Sequence, residues 1–249
     1  MLVSTDDSTK GMLMKNKTWL LAGVALAVSG VASAGELTGT VTAVSDYDFR
    51  GVTQTSGEPA LQGSIDWAAD SGLYLGAWAS NVDFGPGDPA DMELDVYAGF
   101  AGGAEDGLGY DVGIVYYTYP GASDYDYPEV YAGLSHGMFD AKVWFSWDGF
   151  ATGKTSLYYE GNVNVPLPGD FGLAVHVGYS DGPMFNDLEG FQPYFDYSIG
   201  FTKSFGHFDT ELKWVDGSDW KDLNHQPGDV LSSDAKIVFS VSTTFPWGD

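Results

Sequence analysis

The sequence predicts an all-β fold: a transmembrane, antiparallel, up-and-down β-barrel of about twelve strands. Three observations carry it. Apolar and polar residues alternate in about a dozen separate stretches, the chain opens on an export-type leader, and the connections between stretches alternate between short and long. Met92, Leu94, Val96, Ala98 and Phe100 interleave with Asp91, Glu93, Asp95, Tyr97 and Gly99; Phe171, Leu173, Val175, Val177 and Tyr179 repeat the pattern. Side chains on a strand point to alternate faces, so each stretch builds one greasy and one wetter face. In a soluble sandwich the greasy face meets a second sheet, whereas in a barrel it meets lipid and the wetter face lines a lumen.

Alternation and turn residues together place strands at 37–50, 60–69, 73–84, 91–101, 108–119, 127–136, 139–149, 155–165, 170–180, 193–203, 207–216 and 234–245. Short turns, expected at the periplasmic rim, fall at Asp70-Ser71-Gly72, Gly102 to Gly107, around Gly137, Pro166 to Gly169 and Ser204-Phe205-Gly206. The other connections are mostly longer and rich in Asp, Gly and Pro, as extracellular loops are: Gly51 to Pro59, Gly85 to Ala90, Pro120 to Asp126, Phe150 to Lys154, Asp181 to Gln192 and Gly217 to Ser233. Aromatic residues near strand ends suit interfacial girdles, with Phe49, Phe84, Trp147, Tyr179 and Trp214 outside and Trp67, Tyr110, Phe139, Phe171 and Phe208 on the periplasmic side.

An export leader leaves two readings, a soluble secreted sandwich or an outer-membrane barrel, and the barrel is favoured. Lys15 and Lys17 precede an apolar run from Trp19 to Val28 and then Ala32-Ser33-Ala34, an A-x-A cleavage site. Residues 14–34 therefore read as a signal peptide, residues 1–13 as an over-extended start, and residues 35–249 as a single barrel domain in the outer membrane of a Gram-negative bacterium. The run is shorter than the roughly 20 apolar residues a spanning helix needs. Cysteine is absent, which a barrel tolerates because its ring closes every backbone hydrogen bond.

Charge excludes one class of partner. The chain has 10 basic and 35 acidic residues; three and two of these lie in the leader, which leaves 7 and 33, a net charge of about −26. Nucleic acid is not an expected partner, because phosphate binding requires a basic surface.

At Ser45-Asp46-Tyr47-Asp48-Phe49-Arg50-Gly51-Val52-Thr53-Gln54-Thr55, then Pro59 to Gly63, Gly76 to Phe84 and Glu93 to Gly99, the chain resembles the TorF family, exported porin-like proteins of Gram-negative bacteria. The F-R-G-x-[ST]-Q-[ST] stretch is the specific part. The resemblance implies an outer-membrane barrel assigned to passive transport. In the last strand Ala235, Ile237, Phe239, Val241, Thr243 and Phe245 alternate up to an aromatic, resembling the strand that barrel-assembly machinery recognises, although Pro246 to Asp249 follow it.

Inward parity singles out candidate pore-lining residues: Asp46, Asp48, Arg50, Asp66, Asp91, Glu93, Asp95, Asp111, Glu160, Asp196, Asp209 and Glu211, with Lys142 and Lys213 on the same parity. Acidic rings favour cations and repel anions. Arg50, the only arginine, either ties an acidic strand or loop in place through bidentate contacts or sets a charge at a constriction. Twelve strands lie between eight, where side chains fill the interior, and sixteen, where a channel is open; the lumen is then a narrow pore or one plugged by an inward-folded loop.

No catalytic, metal or cofactor site is expected. His136, His176, His207 and His225 are scattered without ligand spacing, and His176 and His207 take inward parity, away from a lipid-facing hydrolase site. Asp88, Asp91, Asp124, Asp126 and Glu129 lack the periodicity of a calcium loop and read as solvated loop acids. The expected function is a porin-like channel for passive diffusion of small hydrophilic solutes, cation-preferring, in contact with outer-membrane lipid and lipopolysaccharide. The alternative is a non-conducting barrel with a surface or interaction role.

Overall fold

The computed structural model describes residues 35–104, 107–218 and 231–247. The leader expected at 14–34 and the start at 1–13 lie outside the described residues, as do His225 and most of the loop between Gly217 and Ser233.

Fourteen strands follow in chain order: β1 (Glu36–Val44), β2 (Asp48–Phe49), β3 (Val52–Thr53), β4 (Ala60–Ala68), β5 (Leu73–Asn81), β6 (Met92–Gly103), β7 (Gly109–Thr118), β8 (Tyr127–His136), β9 (Phe139–Ser146), β10 (Ser156–Leu167), β11 (Phe171–Asp181), β12 (Tyr194–Phe205), β13 (Phe208–Gly217) and β14 (Lys236–Phe245). One five-residue helix, α1 (Pro183–Asp187), lies between β11 and β12. Twelve strands close a barrel: β4 to β14 follow in chain order around the ring, and β1 pairs with β4 on one side and β14 on the other. All pairs are antiparallel, and β2–β3 is a separate hairpin. Closure leaves no strand edge unpaired, so the wall satisfies its backbone without help from water.

The register fixes which face each residue takes. Leu94, Val96, Ile114, Val177, Ile199, Phe201, Leu212, Ile237 and Phe239 are exposed on the outer face, an apolar surface suited to hydrocarbon. Trp147 and Trp214 at one end and Tyr110, Phe139, Phe171 and Phe208 at the other are exposed on that face too. Two girdle assignments are corrected. Phe49 packs inside against Tyr117 and Phe150, and Phe84 packs in the loops against Tyr119 and Tyr125.

Inside, large side chains share space with glycines. Tyr74 pairs across the ladder with Gly99, and a Cβ on Gly99 would collide with the tyrosine hydroxyl; Tyr131 lies over Gly113 in the same way. Gly99 and Gly113 are therefore beds for tyrosine rings, which the missing Cβ lets lie against the wall. Tyr74, Tyr97, Tyr117, Tyr131 and Trp144 build one aromatic side of the lumen from β5 to β9. Opposite, β1 and β14 present Thr40, Thr42, Ser240, Ser242 and Thr244.

Candidate functional site: the lumen and its inward hairpin

The expected first strand, 37–50, is shorter than its alternation suggests. β1 ends at Val44, and the middle of the 45–59 connection folds into the barrel, where Asp46, Tyr47, Val52, Thr53, Gln54 and Thr55 are buried, while Ser45 and Gly57 to Pro59 stay exposed. β2 and β3 pair Asp48 with Thr53 and Phe49 with Val52, which leaves Arg50-Gly51 as a two-residue turn. Both turn residues have positive φ, 52° and 81°, as a type I′ hairpin requires. Asp46, Asp48 and Arg50 thus belong to this hairpin and not to the wall.

The motif residues hold the segment in shape. Thr53 and Thr55 donate their hydroxyls to Asp46 Oδ1 at 2.5 and 3.2 Å, and the Tyr47 N–H donates to Thr55 Oγ1 at 3.1 Å. The Gln54 N–H donates to the Tyr47 carbonyl, and its side chain donates to the Val52 carbonyl at 3.1 Å. These bonds partner most of the segment's buried polar groups within the segment itself, and Asp48 Oδ2 is left to Lys236, which is what lets a loop sit indoors.

The tip reaches the far wall. Arg50 donates both guanidinium arms to Glu129 on β8, at 2.9 and 2.6 Å, and its Cζ lies 4.2 Å from the Tyr158 ring, 4.7 Å from Phe49 and 5.6 Å from Trp144. In the ring, β8 is five strands from β1 through β4 and seven through β14, so the hairpin crosses nearly the full diameter. At its base Lys236 on β14 bridges Asp46 at 3.2 Å and Asp48 at 2.8 Å. Val52 packs with Met184 and Phe185 of α1 and with Tyr194.

The remaining sequence-predicted residues take the following places. Asp66 on β4 accepts from Tyr97 and from Ser64 at 2.7 Å. Asp111 on β7 bridges Lys142 of β9 at 2.9 Å and accepts from Tyr74 at 2.6 Å. Glu160 accepts from the Trp144 indole at 2.8 Å, and Asp196 meets both the Tyr158 hydroxyl at 3.0 Å and His176 Nε2 at 2.9 Å. Asp209 accepts from Ser204 at 2.6 Å, and Glu211 and Lys213 take the inward parity of β13. Glu93 and Asp95 are buried on β6.

Asp91 is a correction: it precedes β6 in the loop and is exposed, because the ladder with β5 starts one residue later, at Met92. His207 also departs from its expected inward parity, since it sits in the β12–β13 turn and stacks on Trp247. Glu129, a loop acid on composition alone, is the buried partner of Arg50, and its place on the polar parity of strand 127–136 is the signal for it. Asp88 and Asp126 serve turns, accepting from the Ala90 and Tyr119 N–H groups. Among the described residues no three His, Asp or Glu side chains converge as metal ligands.

A small cavity lies beside the hairpin tip, bordered by Asp48, Arg50, Trp144, Tyr158, Glu160, His176, Asp196 and Lys213. Charges of both signs and several aromatic rings meet there.

A family model, Gcw_chp, described as a bacterial protein of unknown function, matches residues 28–245. The chain belongs to this family. Comparison with curated proteins finds no match. Among solved structures, the KdgM porin in complex with disordered oligogalacturonate superposes with a TM-score of 0.54 at 7% identity, covering 85% of this chain and all of that one. The NanC porin superposes with a TM-score of 0.54 at 9% identity, over 85% of this chain and all of that one. At such identities the shared property is the barrel itself, so this member of the family has a porin-like twelve-strand fold.

Proposed function

We propose that this protein is an outer-membrane channel for passive diffusion of small hydrophilic solutes, that it prefers cations, and that hairpin 45–59 sets its constriction. The observation that carries the proposal is the charge balance inside the ring. Arg50, Lys142 and Lys236 pair with Glu129, Asp111, Asp46 and Asp48, and His176 meets Asp196, while among the described residues Asp66, Asp140 and Asp209 have no salt-bridge partner, Glu93 and Asp95 are buried without one, and Glu211 shares the space over Gly200 with Lys213. Uncompensated carboxylates along a narrow path attract cations and raise their local concentration.

The apolar outer face supports contact with outer-membrane lipid, and the alternation of β14 up to Phe245 supports delivery by barrel-assembly machinery. Export through a leader at 14–34 belongs to the same reading, as does the finer TorF resemblance. KdgM and NanC are named porins, which supports passage of solutes through this barrel as well.

A second reading is favoured by one observation, the hairpin packed from wall to wall: a barrel that conducts nothing and acts at the surface, its acidic loops bridged to lipopolysaccharide by divalent cations. Planar-bilayer recording separates the two. Current steps with a reversal potential displaced toward the cation value support the channel, and silence from correctly folded protein supports the surface role.

A further inference from the structure

The group that occupies the buried Glu129 pocket of the lumen comes from the hairpin, whereas most of the pocket comes from the wall. Glu129 on β8 is almost fully buried, 1% exposed at its side chain, and its carboxylate faces Arg50 edge to edge. Tyr117 on β7 donates to Glu129 Oε2 at 3.1 Å and so fixes the carboxylate's orientation. Tyr158 on β10 and Trp144 on β9 lie 4.2 and 5.6 Å from the guanidinium carbon. Of the ring partners only Phe49 travels with the hairpin.

The pocket thus combines a planar carboxylate with aromatic faces, the combination that suits a planar cation able to donate two parallel N–H groups. A compact ammonium would satisfy the charge but not the fork. The residue that fills it sits where its backbone gains nothing: Arg50 has φ 52° at the first turn position, a conformation that Asn, Asp or Gly adopts more readily. The side chain, not the turn, accounts for an arginine there.

We propose that the Glu129 pocket, framed by Tyr117, Trp144 and Tyr158, is a binding site for guanidinium-bearing solutes, and that Arg50 occupies it as an internal stand-in for such a solute. The inference rests on the cation-preferring channel proposed above and names the class of cation its constriction recognises. A solute carrying this group competes with the hairpin tip for Glu129. When the tip leaves, the wall retains a buried carboxylate whose charge demands a cationic partner.

The test is chemical rescue of Arg50→Ala, refolded into detergent, with methylguanidinium as probe and methylurea as its neutral counterpart of the same shape. Folded yield and melting temperature are read together, so a variant that folds poorly alone still gives an answer. Methylguanidinium should restore both at about ten-fold lower concentration than methylurea, the discrimination that one charge-assisted hydrogen bond sustains. Adding Glu129→Gln should remove that advantage. Equal action of the two probes, or an advantage that survives Glu129→Gln, overturns the site.

Conduction is scored separately in planar bilayers with wild-type protein. Rescue in a protein that carries no current keeps the site and sinks the channel. Current without selective rescue does the reverse.

Discussion

Gly51 lies against Asp196 across the lumen: a Cβ at position 51 would stand 2.6 Å from the Asp196 Cβ on β12. The hairpin tip is therefore wedged between β12, which Gly51 touches, and β8, which Arg50 grips. The same glycine has φ 81°, so any other residue meets a steric and a conformational obstacle together.

Gly51→Ala should consequently destabilise the folded protein by about 1 to 3 kcal/mol, the usual cost of overpacking a fitted interior. Thermal melting in detergent measures it. A melting temperature equal to that of wild type would mean that the tip is not seated against β12.

Breaking the Arg50–Glu129 pair from one side should cost more than removing it whole. Glu129→Gln leaves a guanidinium without its counter-charge and should lose about 3 to 5 kcal/mol, whereas Arg50→Met with Glu129→Gln should lose less than the two single changes together. A double-mutant cycle by denaturant titration reads the coupling. Additive losses would show that the two side chains do not act as a pair.

The two faces of the wall should respond differently to charge. Val96 lies on the apolar outer face of β6, and Val96→Lys should cost about 2 to 4 kcal/mol. Thr42 lies on the inner face of β1, in register with Ser242, and Thr42→Lys should be tolerated. Gel migration of unboiled samples after refolding into lipid compares them, and equal losses would reverse the face assignment.

Much of this architecture is legible in the chain itself. Strand 127–136 coincides with β8, and the alternation of short and long connections anticipates the ring order and the rim at which both ends of the barrel meet. The hairpin was the harder part for a physical reason. Val41, Ala43, Tyr47 and Phe49 keep a period of two, and a hairpin folded inside a barrel alternates like a wall strand; the break is marked in polarity only by Ser45 on the apolar parity, and a single serine near a rim is ordinary in a wall strand. Arg50-Gly51 was the available clue, since a bulky residue before glycine in a two-residue turn marks a side chain with a task. Gly99 and Gly113 likewise read as gaps on a wet face, although each is the seat of a tyrosine.

Salt should weaken selectivity if the unpaired lumen acids set it. The Debye length falls from about 10 Å at 0.1 M to about 3 Å at 1 M, so fixed charges cease to reach the pore axis. Asp66→Asn with Asp209→Asn, which keep size and remove charge, should also reduce the preference, as read from reversal potentials. A preference unchanged by both would move its source to the extracellular loops.

The proposed constriction of an acidic, cation-preferring channel by the 45–59 hairpin is read from single-channel conductance and reversal potential of wild type beside a variant whose residues 46–57 are replaced by a short Gly-Ser linker. Wild type should give small, cation-selective steps and the variant larger, less selective ones. Anion selectivity in wild type, or identical conductance in the two proteins, would contradict it.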